Sequence, residues 1–182
     1  MKDIKKEKMK ERISNSWFQC NDALFVAENL LGKTLVRKFD NGEILSARII
    51  ETEAYLGAED LACHASKGRT PRTEIIFGEG GKVYVYLIYG MYWMLNFVTG
   101  KDDHPQAVLI RGIENCIGPG RVGKLLKLDK SFYGEDMETS NRIWLEDSAH
   151  DGEIITTPRI GVDYAGEIWK NKPWRFVLAP HQ

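Results

Sequence analysis

The sequence predicts a single α+β domain built on a sheet that is at least partly antiparallel. Its 182 residues match the size of one domain, and no internal repeat, low-complexity tract or linker divides them. Two strand–turn–strand patterns indicate hairpins, and two stretches with helical spacing accompany them. Hydrophobic residues make up 43% of the chain and charged residues 28%, an ordinary globular balance that excludes a wholly disordered or fibrous protein.

Each predicted element rests on its hydrophobic spacing and on the residues that begin or end it. Asn21 or Asp22 can cap the first helix and Gly32 can end it, while Asp40-Asn41-Gly42 favours a turn between the first two strands. In chain order the predicted elements are a helix over 21–31, strands over 34–39, 44–55, 83–89, 92–98 and 107–113, a helix over 121–128, and strands over 159–162 and 174–178.

Charge is unevenly distributed along the chain. The first 16 residues are expected to form a polar, mostly charged arm, and residues 17–182 a single domain. The net charge of −1 alone argues weakly against a nucleic-acid partner. Residues 1–12 have six basic and three acidic residues, residues 111–130 have five and two, and residues 131–153 have one and seven. The acidic stretch therefore masks two basic ones, although a solvated surface of mixed charge explains the same pattern.

Neither a membrane span nor a secretory signal is expected. The apolar runs are only a few residues long, and the first residues lack an apolar stretch. Cys20, Cys63 and Cys116 are three and unclustered, which argues against a disulfide framework or a Cys-based metal site. These features favour a reducing compartment and a protein that is not secreted.

The first candidate for chemistry is the segment Glu51-Thr52-Glu53-Ala54-Tyr55. Alternate residues of a strand share a face, so Glu51, Glu53 and Tyr55 are expected to point the same way. Two carboxylates beside an aromatic ring suit the activation of water next to a flat or sugar-like ligand. A solvent-facing strand edge, where Glu is common, explains the spacing equally and stays open at this point.

The second candidate is the expected long loop over 57–72, which carries one histidine and several cations. Cys63 and His64 lack a second pair at zinc spacing, so no metal is expected. Arg69 and Arg72 are candidate phosphate contacts, with simple exposure to water as the alternative.

The third candidate is an aromatic stretch over 84–93. Aromatic residues inside a strand are usually core, but Tyr89, Met91 and Tyr92 surround a predicted turn at Gly90. Aromatic residues at a hairpin tip suit base stacking or a wedge between base pairs. Both interpretations remain open from the pattern alone.

Residues 118–124 fit the phosphate-binding pattern G-x-x-x-x-G-K, yet nucleotide hydrolysis is not expected. The next residue is Leu125, so the hydroxyl that would bind magnesium is missing. Gly120 and Lys124, at the start of the second predicted helix, are nevertheless candidate contacts to a backbone phosphate.

Taken together, these segments resemble the alkyladenine (3-methyladenine) DNA glycosylase family of mammals and many bacteria. The resemblance covers roughly residues 24–178, in order and with plausible spacing. The segments that carry it are Leu30-Leu31-Gly32, Glu51-Thr52-Glu53-Ala54-Tyr55, His64, Gly68-Arg69-Thr70-Pro71-Arg72, Tyr84-Val85-Tyr86-Leu87-Ile88-Tyr89-Gly90-Met91-Tyr92, Asn96, Leu109-Ile110-Arg111, Gly118-Pro119-Gly120, Arg159-Ile160-Gly161-Val162 and Trp174-Arg175-Phe176.

The resemblance implies a curved, mainly antiparallel sheet with a protruding β-hairpin and flanking helices. It also implies a monofunctional enzyme of base excision repair. Such an enzyme flips alkylated or deaminated purines out of double-stranded DNA and hydrolyses the N-glycosidic bond, leaving an abasic site. No metal or organic cofactor is expected. The resemblance further implies a monomer in the cytoplasm of a bacterium or the nucleus of a eukaryote.

The same resemblance implies a role for each matching side chain. Glu53 would deprotonate the attacking water and Arg111 would hold that water or the transition state, with Glu51 secondary. The expected pocket and DNA contacts are Tyr55 and Tyr86 on the two faces of the flipped base, His64 at its edge, Asn96 as a gate against guanine, Tyr89 filling the gap in the stack, and Met91 and Tyr92 in the minor groove.

Two rival functions follow from the same residues. One is a DNA-binding module that keeps the pocket without catalysis, and the other is a nucleoside or glycoside hydrolase that uses Glu51 and Glu53. The chain also departs from the family pattern: Cys63 precedes the histidine, Thr73 begins a segment that usually starts with Asn, and Glu74 adds a negative charge. These departures concern affinity and substrate range more than reaction type.

Overall fold

A nine-stranded antiparallel sheet forms the centre of the part of the chain that the computed structural model describes, residues 11–149 and 152–179. The helices and strands are α1 (Asn15–Gln19), α2 (Ala23–Asn29), β1 (Thr34–Lys38), β2 (Ile44–Leu56), β3 (Val83–Ile88), β4 (Tyr92–Thr99), β5 (Gln106–Ile113), β6 (Cys116–Ile117), α3 (Pro119–Leu125), β7 (Ile143–Glu146), β8 (Ile154–Thr157), α4 (Gly166–Lys170) and β9 (Arg175–Leu178). Single 3-10 turns lie at His64–Lys67, Glu74–Phe77, Lys130–Phe132 and Asp163–Ala165.

Strand β2 is the central strand of the sheet and pairs with three others, β1, β5 and β9. The strand order is β3-β4-β5-β2-β1-β7, with β9 added to β2, β8 to β9 and β6 to β5. The first half of β2 pairs with β1, and its second half lies between β5 and β9. The pairing with β5 is irregular around Glu51, where the register shifts. The second half of β2 therefore has a partner strand on each side.

Alternate residues of the central strands face opposite sides of the sheet, as the pleat requires. Ala54, Leu95 and Ile110 face a core that the short N-terminal helices and α3 cover. The opposite side carries Glu53 and Arg111, which neighbour them in sequence. One side of the sheet thus packs against the main core, while the other carries these charged side chains beside a smaller buried cluster around Tyr84, Val98 and Ala107.

The local sequence signals predicted most elements correctly. Asp22 caps α2 by accepting a hydrogen bond from the Phe25 N–H at 2.9 Å, and the residues of the Asp40-Asn41-Gly42 turn join β1 to β2. The second predicted helix forms, but it runs over Pro119–Leu125 rather than 121–128. Strands β6, β7 and β8 were not predicted.

The predicted strand over 159–162 is wrong, because those residues form an irregular segment. The Arg159 side chain turns inward to Asp60, and the Ile160 N–H donates to a Glu53 carboxylate oxygen instead of to a neighbouring strand. Gly161 follows at φ 77°, a left-handed conformation that a strand does not use.

The predicted N-terminal arm over 1–16 falls partly outside the described residues, which begin at 11. Within the described part, Ile13 is buried against the core, and the Arg12 guanidinium donates to the carbonyl oxygens of Glu138 and Ser140, each at 2.8 Å. No helix in the described ranges is long and apolar enough to cross a membrane.

Replacing Gly123 by Ala should destabilise the protein. A Cβ at Gly123 would overlap the carbonyl oxygen of Trp93, a backbone atom of β4 that cannot rotate away. Because overpacking of this kind costs roughly 1–3 kcal/mol, we expect a loss of that order in the free energy of unfolding measured in urea. Gly78→Ala is the control, since Gly78 has φ −85° and its nearest neighbour would lie 3.4 Å away. Equal stability of the two variants would contradict the close packing of α3 on β4.

Candidate active site

A pocket of about 740 Å³ opens on the side of the sheet away from the core. Strands β2 to β5 form its floor, and the segments around residues 62–73 and 160–164 form its walls. Most of the residues singled out from the sequence meet here. Those that line it are Tyr55, His64, Arg72, Tyr86, Tyr89, Asn96 and Arg111.

Two carboxylates of β2 are buried beside this pocket. Glu51 is 5% exposed and Glu53 is 0% exposed. One Glu53 oxygen, Oε1, accepts the Ile160 N–H at 2.7 Å, and the other, Oε2, accepts the Tyr55 hydroxyl at 2.7 Å. The alternative of a solvent-facing strand edge is therefore wrong for this segment.

Arginines from other strands neutralise the carboxylates. The Arg111 Nε lies 3.0 Å from the Glu51 Oε1 and 3.5 Å from the Glu53 Oε1. The Arg175 Nε of β9 lies 2.6 Å from the same Glu51 oxygen. Glu51 is thus held between two guanidinium groups. Glu53 lies near only one of them, that of Arg111, and accepts hydrogen bonds from two neutral donors, the Ile160 N–H and the Tyr55 hydroxyl.

The protonation of Glu53 reflects these opposing influences. Burial raises the pKa of its carboxyl above the usual 4.5, because a buried charge is costly. The charge of Arg111 opposes this shift most strongly, followed by the hydrogen bonds from Ile160 and Tyr55. A carboxylate with a raised pKa is a stronger base than an exposed glutamate.

Aromatic side chains surround the pocket above the carboxylates. The His64 Nδ1 lies 2.8 Å from the Tyr84 hydroxyl, and the His64 and Tyr86 rings stand 4.6 Å apart at 76°. Burial, with Arg72 and Lys67 nearby, lowers the pKa of His64 to about 4. The imidazole is therefore neutral at physiological pH and brings no charge to the pocket.

Asn96 is buried at the pocket floor, on the strand next to Tyr84. Its Nδ2 donates to the backbone carbonyl oxygens of Tyr84 at 3.2 Å and of Met94 at 3.3 Å. Both bonds fix the orientation of the amide, so Asn96 presents a rigid polar group to anything that fills the pocket.

The two arginines that the sequence grouped together lie in different surroundings. The Arg72 Nη2 is 3.2 Å from the His64 Nε2, and its guanidinium lies 5.0 Å from the Tyr86 ring centre, at the pocket wall. Arg69 is exposed and forms ion pairs with Glu74 at 2.6 Å and with Asp103. Arg72 is thus close to the pocket, whereas acidic neighbours balance the charge of Arg69.

The hairpin between β3 and β4 carries exposed aromatic and apolar residues beside the pocket. Tyr89 is 85% exposed at φ 51°, Gly90 follows at φ 67°, and Met91 is 65% exposed. Tyr92 is half-buried, because its ring packs on Gly120 of α3, where a Cβ would lie 2.9 Å from the ring. The hairpin base is anchored, and its tip is free to contact a partner.

The G-x-x-x-x-G-K segment serves packing in this structure. Gly120 and Gly123 allow α3 to lie directly against β4, and Lys124 is exposed in a cleft that Met91 and Tyr92 of the hairpin also line. No group of three or more His, Cys, Asp or Glu side chains that could hold a metal ion occurs within residues 11–149 and 152–179.

Sequence reasoning missed several residues of the site. Asp60 and Arg159 form an ion pair beneath Tyr55, and Tyr164 lines the pocket at 68% exposure. Arg175 contacts Glu51 from the C-terminal strand. Arg159 and Arg175 lie within segments that carried the family resemblance, but no spacing rule linked them to Asp60 and Glu51, which lie 99 and 124 positions earlier.

Comparison with known proteins identifies the family of this sequence. The sequence profile of the methylpurine-DNA glycosylase family matches residues 16–182. A protein of Methanocella arvoryzae is 44% identical over 179 residues, covering 87% of this chain and 88% of that protein. A protein of Legionella pneumophila is 45% identical over 170 residues, covering 88% and 91% respectively. Both carry the name "Putative 3-methyladenine DNA glycosylase".

The family resemblance inferred from the residues is thus confirmed over residues 16–182, which include strand β2 with its two carboxylates and the C-terminal strand β9. The chain belongs to the methylpurine-DNA glycosylase family and is a hydrolase that acts on N-glycosyl bonds.

Proposed function

We propose that this protein is a monofunctional DNA glycosylase that flips alkylated or deaminated purines, 3-methyladenine among them, out of double-stranded DNA. It then hydrolyses the N-glycosidic bond with an activated water. The observation that carries the proposal is a buried carboxylate, Glu53, paired with Arg111 below an aromatic pocket. The exposed aromatic hairpin beside that pocket supports duplex DNA as the partner.

In this mechanism Glu53 is the general base. Each Glu53 oxygen already accepts one hydrogen bond and retains a second lone pair that can receive the proton of a water molecule. The water oxygen bonds to C1′ of the deoxyribose, its proton passes to Glu53, and the electrons of the N-glycosidic bond leave with the base. Arg111 holds the same water or the developing charge. The product is an abasic site in an uncut strand.

The pocket favours damaged purines in two ways. A purine alkylated at N3 or N7 is cationic, so it departs as a neutral base, and stacking on Tyr55 and Tyr86 adds about 0.5–2 kcal/mol of cation–π attraction. His64 at the base edge does not oppose that cation, because its lowered pKa keeps it neutral. Asn96 is the steric gate against the amino group of guanine. 7-Methylguanine carries the same amino group, so its release should be slower than that of 3-methyladenine and depends on its cationic, more labile N-glycosidic bond.

Contacts to the DNA come from the rim of the pocket. Tyr89 fills the gap that the flipped nucleotide leaves, and Met91 and Tyr92 lie in the minor groove. Arg72 and Lys124 are proposed to contact phosphates. Arg69 would first have to leave Glu74 and Asp103 to do so. The protein acts as a monomer on one lesion at a time.

Replacing Glu53 by Gln should abolish excision. The amide keeps the shape of the side chain but cannot accept the proton of water, so we expect the single-turnover rate of base release to fall by at least about 10²-fold. The substrate is a duplex with one hypoxanthine or one 7-methylguanine. Glu74→Gln removes an exposed carboxylate from the loop near the pocket and should release base at the wild-type rate.

The outcomes separate the rival functions. Equal rates for wild type and Glu53→Gln would contradict the role of Glu53 as the base. Release by neither protein, with tight lesion binding intact, would favour the non-catalytic DNA-binding module. Release from free nucleosides as fast as from duplex DNA would favour the nucleoside hydrolase.

The rate of excision should rise with pH through the raised pKa of Glu53. Only the carboxylate can accept a proton, and burial places its pKa above the usual 4.5, so the rate falls as pH drops through that higher value. The measurement is a single-turnover pH profile on 7-methylguanine, whose fixed positive charge keeps substrate titration out of the acid limb. An acid limb centred below pH 4.5 would contradict the assignment.

Replacing Tyr89 by Ser should weaken action on duplex DNA selectively. A serine cannot fill the gap in the base stack, so we expect roughly a tenfold or greater loss on a duplex lesion and a smaller loss on the same lesion in a single strand. Ile168→Ser is the matched control, because Ile168 is 71% exposed on α4, outside the hairpin. Equal losses on both substrates would exclude the wedge role.

A further inference from the structure

A fully buried ion pair lies directly beneath the proposed site. The Arg159 Nη1 is 2.6 Å from the Asp60 Oδ2, the Arg159 Nη2 is 2.9 Å from the Asp60 Oδ1, and both side chains are 0% exposed. The desolvation of two buried charges can exceed the gain from their attraction, so such a pair is a poor source of stability alone.

The Arg159 guanidinium stacks on one face of the Tyr55 ring. It lies 4.8 Å from the centre of the Tyr55 ring and 5.0 Å from that of Trp174. Its Nη1 also donates to the Ala54 carbonyl oxygen at 2.9 Å. Arg159 thus fixes the backbone that follows Glu53 and the ring whose hydroxyl reaches the Glu53 Oε2.

The next residue along the chain holds the other Glu53 oxygen. The Ile160 N–H donates to the Glu53 Oε1 at 2.7 Å, and the position of this N–H depends on the anchored Arg159 side chain because the segment has no strand partner. The Arg159 guanidinium therefore fixes the positions of both neutral donors to Glu53, the Tyr55 hydroxyl and the Ile160 N–H.

Asp60 extends the arrangement to the loop that carries His64. Its carboxylate accepts the Leu56 N–H at 3.2 Å and the Ala62 N–H at 3.0 Å. These bonds end β2 and begin the loop that leads to the pocket wall. One buried carboxylate thus joins the end of the strand, the loop and Arg159.

We propose that Asp60 and Arg159 are positioning residues for the general base: together they hold the Ile160 amide and the Tyr55 hydroxyl on the two oxygens of Glu53. Neither contacts the reacting atoms. The inference rests on the proposed role of Glu53 and adds the device that orients and tunes it.

The arrangement predicts the direction of a change in the pKa of Glu53. The charge of Arg159, the Ile160 amide and the Tyr55 hydroxyl all stabilise the carboxylate against burial. Loss of Arg159 removes the first and loosens the other two, so all three changes raise the pKa of Glu53. The titratable or charged groups that face Glu53 are Arg111 on β5, Tyr55 and the Glu51–Arg175 pair of β2 and β9, Tyr86 on β3, Arg159, and Tyr164.

The test is the double variant Asp60→Asn/Arg159→Gln, which leaves no unpaired buried charge. We expect the acid limb of the single-turnover profile on 7-methylguanine to move to higher pH by roughly one unit. Below that limb the rate should be about tenfold lower than that of the wild type, with a smaller difference on the alkaline plateau. Arg159→Lys keeps the positive charge but cannot form both hydrogen bonds to the Asp60 carboxylate. The acid limb of its pH profile should therefore move less than that of the double variant.

Asp136→Asn is the matched control. Asp136 pairs with Lys82 and accepts the backbone N–H groups of Glu138 and Thr139, so its loss should lower the melting temperature without moving the acid limb. A wild-type limb in a folded double variant, with a uniform loss of rate, would overturn the proposal. If the double variant does not fold, Arg159→Lys decides: a wild-type limb at a lowered melting temperature would overturn the proposal equally.

A second readout does not depend on activity. The carboxyl ¹³C resonance of Glu53, assigned by its loss in Glu53→Gln, reports the pKa of Glu53 directly by titration. A higher midpoint in the Arg159 variants supports the positioning role even if no lesion is excised, which would refute the proposed function alone. An unchanged midpoint would overturn the positioning role while leaving the proposed function intact.

Discussion

The burial of two carboxylates on one face of β2 is the constraint on which the rest of the structure depends. Glu51 and Glu53 could not remain charged in that position without compensation. The compensation comes from guanidinium groups that are distant in sequence. Arg111 on β5 and Arg175 on β9 contact the carboxylates directly. Arg159 precedes Ile160, whose N–H donates a hydrogen bond to Glu53. The order of strands β5, β2 and β9 brings these groups together.

The same constraint explains why the sheet has two unlike sides. Apolar residues such as Ala54 and Ile110 pack under the helices, while their neighbours in sequence project toward the pocket. Hydrogen bonds and ion pairs hold the buried charges of the floor in fixed positions, the arrangement that catalysis by preorganised electrostatics requires. The hairpin, in contrast, leaves Tyr89 exposed. The fixed, buried carboxylates and the exposed hairpin thus belong to one sheet.

Much of this fold, and less of the site, could be predicted from the sequence. Elements with local signals, such as the Asp22 cap, the hairpins and the alternation around Glu53, were predicted because those signals act within a few residues. The strand expected at Arg159 failed because an ion pair with Asp60, 99 residues away, determines the backbone there. Strand parity placed Glu51 and Glu53 on one face but could not rank them, since their partners lie on other strands. The individual roles proposed for these residues come from the family resemblance.

The placement of Arg175 in the last strand has a consequence for how the protein is made. Strand β9 pairs with β2 across more than 120 positions of sequence, opposite Glu51, Thr52 and Glu53. A ribosome therefore releases the two acidic residues long before Arg175, the second arginine that contacts Glu51. Until β9 is made, one edge of the second half of β2 stays unpaired. Long-range pairing of this kind is slow and leaves strand edges open to wrong partners. Chaperone protection of the nascent chain would matter most in the interval between the synthesis of β5 and that of β9.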